Sequence, residues 1–319
     1  MSWGPHLLDV ADLTPRELGT VLDLAEEMRG VLDARGRRTS LQGRTVTTLF
    51  YEASTRTRVS FETAARRLGA DVASVSATAS SVTKGESLLD TVRTLQALGA
   101  DVLVMRHARS GAPYLAATVF GGHVVNAGDG RHAHPSQALL DLFTLRRHLP
   151  GRSLEGRKVA IVGDVLHSRV ARSNIWSLTA CGVDLWLCGP ATLLRGFDAW
   201  ARALPADRRL TVTSDLASAL READAVMALR LQQERMSAGL LPALAEYSAR
   251  YGLTTARLAL ARPGVVVLHP GPMNEGVEIA PDVAAGPASL VTAQVANGVA
   301  VRMAVLELLA GSSDAGRPA

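Results

Sequence analysis

Four consecutive residues, Ser54-Thr55-Arg56-Thr57, set three hydroxyls and a guanidinium just after a short apolar run, Val46 to Phe50. Hydroxyls and unbonded amides at the start of a helix bind oxyanions, and an arginine fork fits phosphate. A helix cap needs a single hydroxyl, so the excess points to an oxyanion or phosphate site. The loop Ser80-Ser81-Val82-Thr83-Lys84-Gly85-Glu86-Ser87 holds one of only two lysines among 34 basic residues. Lys84 reads either as a compact charge able to swing beside Gly85 or as a solvated loop residue. Arg106-His107 follows another apolar run, and Arg106 reads as a surface residue or a phosphate contact. His134 and Gln137 flank Pro135 at a helix start and would lie near one another. A histidine there can polarise a carbonyl or move a proton. His132-x-His134 also has a metal-like spacing, but no third and fourth ligands accompany it, so no metal site is expected.

In the second half, Gly163-Asp164 follows an apolar strand without the other glycines of a dinucleotide fingerprint, so nicotinamide binding loses its support. Arg169, Arg172 and Arg230 stand where helices begin or strands end. Arg forks in such places suit a dicarboxylate substrate. Surface arginines in an arginine-rich chain are the simpler alternative.

The elements that must position these residues alternate. Thr14-Pro15-Arg16-Glu17 reads as a capping box with proline at the first helical position. The first series has strands at Val46–Phe50, Asp71–Ser76, Val102–Arg106 and His123–Asn126, with helices from Thr57 to Leu68, Ser87 to Leu98 and Pro135 to Arg147. The second has strands at Val159–Val162, Val183–Cys188, Leu210–Thr213, Ala225–Leu229 and Val265–His269, a helix from Val170 to Ala180, and a closing helix from Val291 to Leu309. Such alternation predicts an α/β fold of two doubly wound parallel-sheet domains. Ligands then sit at the carboxyl ends of the strands, where the residues above fall. The predicted domains are 1–148 and 149–290, with 291–310 packing back on the first and 311–319 as a tail.

Composition agrees with a globular chain. The 319 residues are 47% hydrophobic and 20% charged, which excludes dominant disorder. No apolar run reaches the ~18 residues of a membrane helix, and with no basic segment followed by an apolar stretch at Met1–His6, no secretory signal is expected. Cys181 and Cys188 make no disulfide framework. A net charge of +4 without basic runs gives no sign of nucleic-acid binding. A cytoplasmic protein is the default expectation.

Taken in order, Phe50-x-Glu52-x-Ser54-Thr55-Arg56-Thr57, Lys84-Gly85-Glu86, Arg106-His107, His134-Pro135-Ser136-Gln137, Gly163-Asp164, Arg230-x-Gln232 and His269-Pro270-Gly271-Pro272 resemble the motifs of the aspartate and ornithine carbamoyltransferase family. The likeness spans about residues 6–310. Ornithine members carry His-Cys-Leu-Pro where this chain has His269-Pro270-Gly271-Pro272 and lack an arginine like Arg230, so the aspartate branch is the nearer one. Ala108 and Gly271 depart from residues common in the family.

The resemblance implies transfer of the carbamoyl group of carbamoyl phosphate to aspartate, a step of pyrimidine synthesis, in a cleft between the domains and without metal or organic cofactor. It assigns Ser54, Thr55, Arg56, Thr57 and Arg106 to the phosphate, and His134 with Arg56 and Thr57 to the carbamoyl oxygen. Gln137, Pro270 and Gly271, with Pro272 beside them, take the carbamoyl amide. Lys84, Arg169, Arg230 and Gln232 hold aspartate, and Lys84 is also counted with Arg56, Thr57, Arg106 and His134 as catalytic. Lys84, with Ser80 or Ser81, would reach a neighbouring subunit's site, which implies a homotrimer with shared sites. Regulatory or dihydroorotase subunits are left open. Ornithine or another amine is the alternative acceptor.

Overall fold

The computed structural model describes residues 4–76, 86–232 and 243–311. The chain divides into two compact units; one runs to Leu140 and resumes at Val295, the other spans Asp141–Gln294.

In the first unit α1 (Pro15–Asp33) starts with the expected capping box: Thr14 accepts from the Glu17 amide, and the Glu17 carboxylate accepts from the Thr14 amide at 2.8 Å. The parallel sheet combines β1 (Thr45–Phe50), β2 (Asp71–Ser76), β3 (Val102–His107) and β4 (His123–Asp129) in the order β2-β1-β3-β4. Its helices are α2 (Thr55–Arg67), α3 (Leu88–Ala97), α4 (Ala112–Ala117) and α5 (Pro135–His148), the last running on into the second unit. Leu49, Leu103, Met105 and Val124 of the sheet pack with Val92, Leu95 and Ala116 of the helices in one buried cluster.

The second unit has β5 (Lys158–Val162), α6 (Arg169–Ala180), β6 (Asp184–Cys188), α7 (Phe197–Ala203), β7 (Arg209–Thr213), α8 (Leu216–Leu220) and β8 (Ala225–Ala228). Then come α9 (Leu244–Tyr251), α10 (Thr255–Leu258), β9 (Val266–Leu268) and α11 (Pro281–Ala284). Its parallel strand order is β7-β6-β5-β8-β9. The last helix, α12 (Val291–Ala310), lies in the first unit from Val295 onward. There Arg302 stacks 5.0 Å from the Phe61 ring and Glu307 accepts from the Ser40 hydroxyl. On length and composition α12 could cross a membrane, yet 67% of its most apolar window is buried in the fold, as befits a core helix.

Several sequence expectations need correction. The second helix begins at Thr55 rather than Thr57, because Ser54 is its cap. The fourth strand continues past Asn126 to Asp129, and α4 and α7–α11 are additional short helices. The last strand, expected over Val265–His269, covers Val266–Leu268.

Lys158, which the motifs leave without a role, turns out to be structural. Its ammonium donates to the Ser218 and Arg221 carbonyls at 2.9 and 2.8 Å, at the end of α8, and sits 3.7 Å above the Trp186 ring. A compact cation answers both the orphan carbonyls and the negative end of the helix.

Candidate active site

The first unit gathers its candidate residues at the carboxyl ends of β1, β3 and β4. Ser54 caps α2 by accepting from the Thr57 amide at 3.4 Å. The simple capping role is therefore met by Ser54 alone. Thr55 and Arg56 stay exposed, and their amides precede the first intrahelical acceptor, as at any helix start. Thr57 is buried. Ser60 donates back to the Arg56 and Thr57 carbonyls at 2.7 and 3.0 Å, which stiffens this first turn. Partial burial lowers the Arg56 pKa from the usual arginine value, and so high a starting value keeps it cationic at neutral pH.

Phe50 pairs with Arg106 in the parallel register of β1 and β3, which sets Arg106 level with the end of β1, from which the chain leads to the Ser54–Thr57 turn. Arg106 donates to the Ala127 carbonyl at 3.3 Å, and its Nε lies 3.4 Å from a Glu52 carboxylate oxygen. The neighbouring His107 is held neutral-leaning by burial, which lowers its pKa, and its Nδ1 accepts from the Arg109 amide at 2.9 Å.

His134 enters from a loop fixed by two buried polar side chains. Asn126 donates to the Leu8 carbonyl and to Asp129 Oδ1, both at 2.9 Å. Asp129 also accepts from the amides of Ala133 at 3.0 Å and Gly111 at 2.7 Å. With two amides and the Asn126 side chain directed at one carboxylate, the chain has little freedom before α5 begins. His134 and Gln137 are both buried at that helix start, and the Gln137 amide donates to the His134 carbonyl at 3.0 Å.

The second unit places its candidates after β5, β8 and β9. Gly163 follows β5 at φ +129, and a Cβ there would stand 2.9 Å from the Leu229 carbonyl oxygen. Close approach to the strand next door accounts for this lone glycine. Asp164 then acts as a hub. Its Oδ1 accepts from the His167 amide at 3.2 Å and ring Nδ1 at 2.8 Å, and its Oδ2 accepts from the Gln232 amide at 3.2 Å. Gln232 in turn donates to the His167 carbonyl at 3.1 Å. These bonds tie the loop opening α6 to the segment leaving β8. Arg169 is the first residue of α6, 5% exposed, and Arg230 is half-buried just after β8. Pro270 and Gly271 follow β9, with Gly271 at φ +62 and the Gly271–Pro272 peptide cis.

Lys84, Ser80 and Ser81 lie outside the described residues. Sequence reasoning gave no role to Asp164, His167 or Asp129. The signal available was Asp three residues before His on a strand-end loop. Burial pushes the Cys181 thiol up to about 11 and the Cys188 thiol up to about 12, so neither offers a thiolate at neutral pH. Among the described residues no cluster of three His, Cys, Asp or Glu side chains could hold a metal ion.

Both units match known proteins. Residues 5–147 match the family described as aspartate/ornithine carbamoyltransferase, carbamoyl-P binding domain, and residues 155–309 match its Asp/Orn binding domain. The chain is 56% identical over 307 residues to the aspartate carbamoyltransferase catalytic subunit of Roseiflexus sp. (strain RS-1), covering 96% of this chain and 95% of that one. It is 54% identical to the subunit of the same name from Acidothermus cellulolyticus, covering 98% and 96%. Among solved structures it resembles aspartate transcarbamoylase from Trypanosoma cruzi in complex with carbamoyl aspartate and phosphate, with a TM-score of 0.84, 32% identity and 94% of each chain covered. The same enzyme in complex with N-(phosphonacetyl)-L-aspartic acid gives a TM-score of 0.83 at 32% identity, with 94% of each chain covered.

Proposed function

The chain belongs to the aspartate/ornithine carbamoyltransferase family, and we propose that it transfers the carbamoyl group of carbamoyl phosphate to the amine of L-aspartate. The observation that carries this reading is the near full-length identity, 54–56%, to aspartate carbamoyltransferase catalytic subunits. The placement of Arg56, Arg106, His134, Arg169 and Arg230 at or just beyond strand ends supports it.

In this reading Ser54, Thr55, Arg56, Thr57 and Arg106 hold the phosphate. The aspartate amine attacks the carbamoyl carbon, a C–N bond forms, and the carbonyl oxygen becomes an oxyanion. Donors from His134, Arg56 and Thr57 stabilise that charge as it develops. Gln137 and the Pro270 and Gly271 carbonyls accept from the carbamoyl amide and fix the carbon's orientation. Collapse re-forms the carbonyl and breaks the bond between the carbamoyl carbon and the bridging oxygen, which leaves with the phosphate, and the departing phosphate takes the amine proton. Arg169, Arg230 and Gln232 hold the aspartate, with one arginine fork for each carboxylate. No step requires a metal or an organic cofactor.

The finer features of the proposal are a cytoplasmic homotrimer in which Lys84 and Ser80 or Ser81 serve a neighbour's site. The purified protein should convert carbamoyl phosphate and aspartate to N-carbamoyl-aspartate and phosphate. Turnover with ornithine and none with aspartate would overturn the choice of acceptor. Mixed Arg56→Ala and Lys84→Ala chains, each inactive alone, should regain activity after subunit exchange. No recovery after verified exchange would sink the shared-site trimer.

A further inference from the structure

The first residue of the His269-Pro270-Gly271-Pro272 turn has no part in the reaction as described, yet it is the most thoroughly bonded residue of that turn. The His269 side chain is fully buried. Its backbone amide donates to Gln294 Oε1 at 2.9 Å. The Gly271 amide donates to its Nδ1 at 2.8 Å. An acceptor Nδ1 carries no proton, so in the neutral ring the hydrogen sits on Nε2. Nε2 lies 3.2 Å from Glu278 Oε1, which also accepts from the Asn274 amide at 2.6 Å.

Glu278 is 1% exposed and projects from a different stretch of chain, nine residues beyond His269. One oxygen thus fixes both the ring of His269 and the Asn274 amide that follows the turn. The other oxygen, Oε2, has no hydrogen-bond partner among the described residues, and neither does the buried Tyr247 hydroxyl, which lies within electrostatic reach of Glu278. The bonding capacity in use is therefore that of a single acceptor atom.

A second chain of bonds secures the opposite side. Gln294 donates to Asp141 Oδ1 at 2.7 Å while its own Oε1 holds the His269 amide, and Asp141 Oδ2 accepts from Asn174 at 2.9 Å. The Gln294, Asp141 and Asn174 side chains are all buried. The turn is pinned before Pro270 by Gln294, at Gly271 by the imidazole, and after Pro272 by Glu278.

We propose that Glu278, acting through the Nε2–H tautomer of His269, is a positioning residue that aims the Pro270 and Gly271 carbonyls at the carbamoyl amide. The proposal rests on the carbamoyl transfer reading above. Glu278 touches no substrate, and what it supplies is an acceptor oxygen in one place. The prediction separates place from charge. Glu278→Gln can keep Oε1 where it is while losing the charge and putting an amide NH2 in place of the unpartnered Oε2. Glu278→Asp keeps the charge but withdraws the oxygen by one methylene. Glu278→Leu keeps the bulk and removes the acceptor.

The test compares binary affinities by calorimetry, which needs no amine acceptor. Wild-type protein should bind carbamoyl phosphate more tightly than inorganic phosphate, because phosphate alone makes no contact with the turn. Glu278→Leu and Glu278→Asp should lose that preference while inorganic phosphate affinity stays at the wild-type value, and their kcat should fall by up to ~100-fold, the scale of a misplacement near 1 Å. Glu278→Gln should retain both the preference and the turnover. If Glu278→Leu fails to fold, the contrast between Asp and Gln decides. Full preference in Glu278→Asp with loss in Glu278→Gln would overturn the proposal in favour of a role for charge, and wild-type preference in Glu278→Leu would overturn it outright. If the wild-type protein itself shows no preference for carbamoyl phosphate, the parent reading falls with it, a result distinct from either.

Discussion

Replacing Asp164 by alanine tests whether one buried carboxylate builds the aspartate side of the site. Asp164 has no exposed surface and accepts three hydrogen bonds: the His167 amide, the His167 ring and the Gln232 amide. Each bond to an ionised acceptor contributes about 1.5–3 kcal/mol. The three share one partner and do not add fully, so a loss of ~3–6 kcal/mol is expected for Asp164→Ala. That is a large part of the ~5–15 kcal/mol that holds a typical domain folded. With a urea dependence of ~2 kcal/mol per molar, the midpoint should fall by about 2 M. Tryptophan fluorescence suits the assay, because Trp176, Trp186 and Trp200 all belong to the second unit. Asp164→Asn retains one acceptor oxygen but turns an amide N–H toward a donor, so it should cost less than alanine and more than nothing. Both variants release the Gln232 amide, so the KM for aspartate should rise while inorganic phosphate binding, assigned to the first unit, stays the same. A wild-type midpoint together with a wild-type KM for Asp164→Ala would refute the hub.

Further outcomes are expected elsewhere. Arg56→Ala should lower kcat/KM by ~100–1000-fold, the usual loss on removing one donor to a developing oxyanion, measured as phosphate release; a mild loss would reduce the Ser54–Thr57 turn to a helix cap. Thr14→Ala, which breaks the capping box far from the site, should cost ~1 kcal/mol in denaturant without changing kcat. Lys158→Met should destabilise the second unit by ~1–3 kcal/mol by stranding the carbonyls at the end of α8, with a shift in tryptophan emission from Trp186. The two thiols should make the fold alkali-sensitive. Their folded values, about 11 and about 12, lie above the ordinary 9.0, so above pH 9 the unfolded chain loses protons first. Each thiol then lowers stability by up to ~1.4 kcal/mol per pH unit until its folded value is reached. Unchanged urea midpoints between pH 9 and 11 would contradict their burial.

What the sequence discloses depends on how local the physics is. The Thr14–Glu17 box spans four residues and closes on itself, so it can be read without any neighbour. The helix start at Ser54–Thr57 is equally legible, because the Ser54 cap closes on the Thr57 amide only three residues on. The segment Ala127–Asp129 misleads for the opposite reason. Gly128 between Asn126 and Asp129 reads as a loop, and it becomes strand because those two side chains bond to Leu8 and Gly111, remote in sequence. The short helices α7–α11 run four to eight residues, too few turns to show a helical period.

The same reasoning explains why the site was only half visible. Groups that touch substrate must be cations, hydroxyls and imidazoles at strand ends, and chemistry restricts those to recognisable types. The groups that aim them are under no such restriction. Glu278 follows His269 by nine residues with no periodic relation to it, and Gln294 follows by 25. Nothing in Glu or Gln as a residue type distinguishes a buried acceptor from a surface charge or amide. Only the backbone amides of His269, Gly271 and Asn274, which must find partners once buried, reveal what those side chains are for. A motif therefore marks where chemistry occurs, while the accounting of buried donors shows what holds it in place.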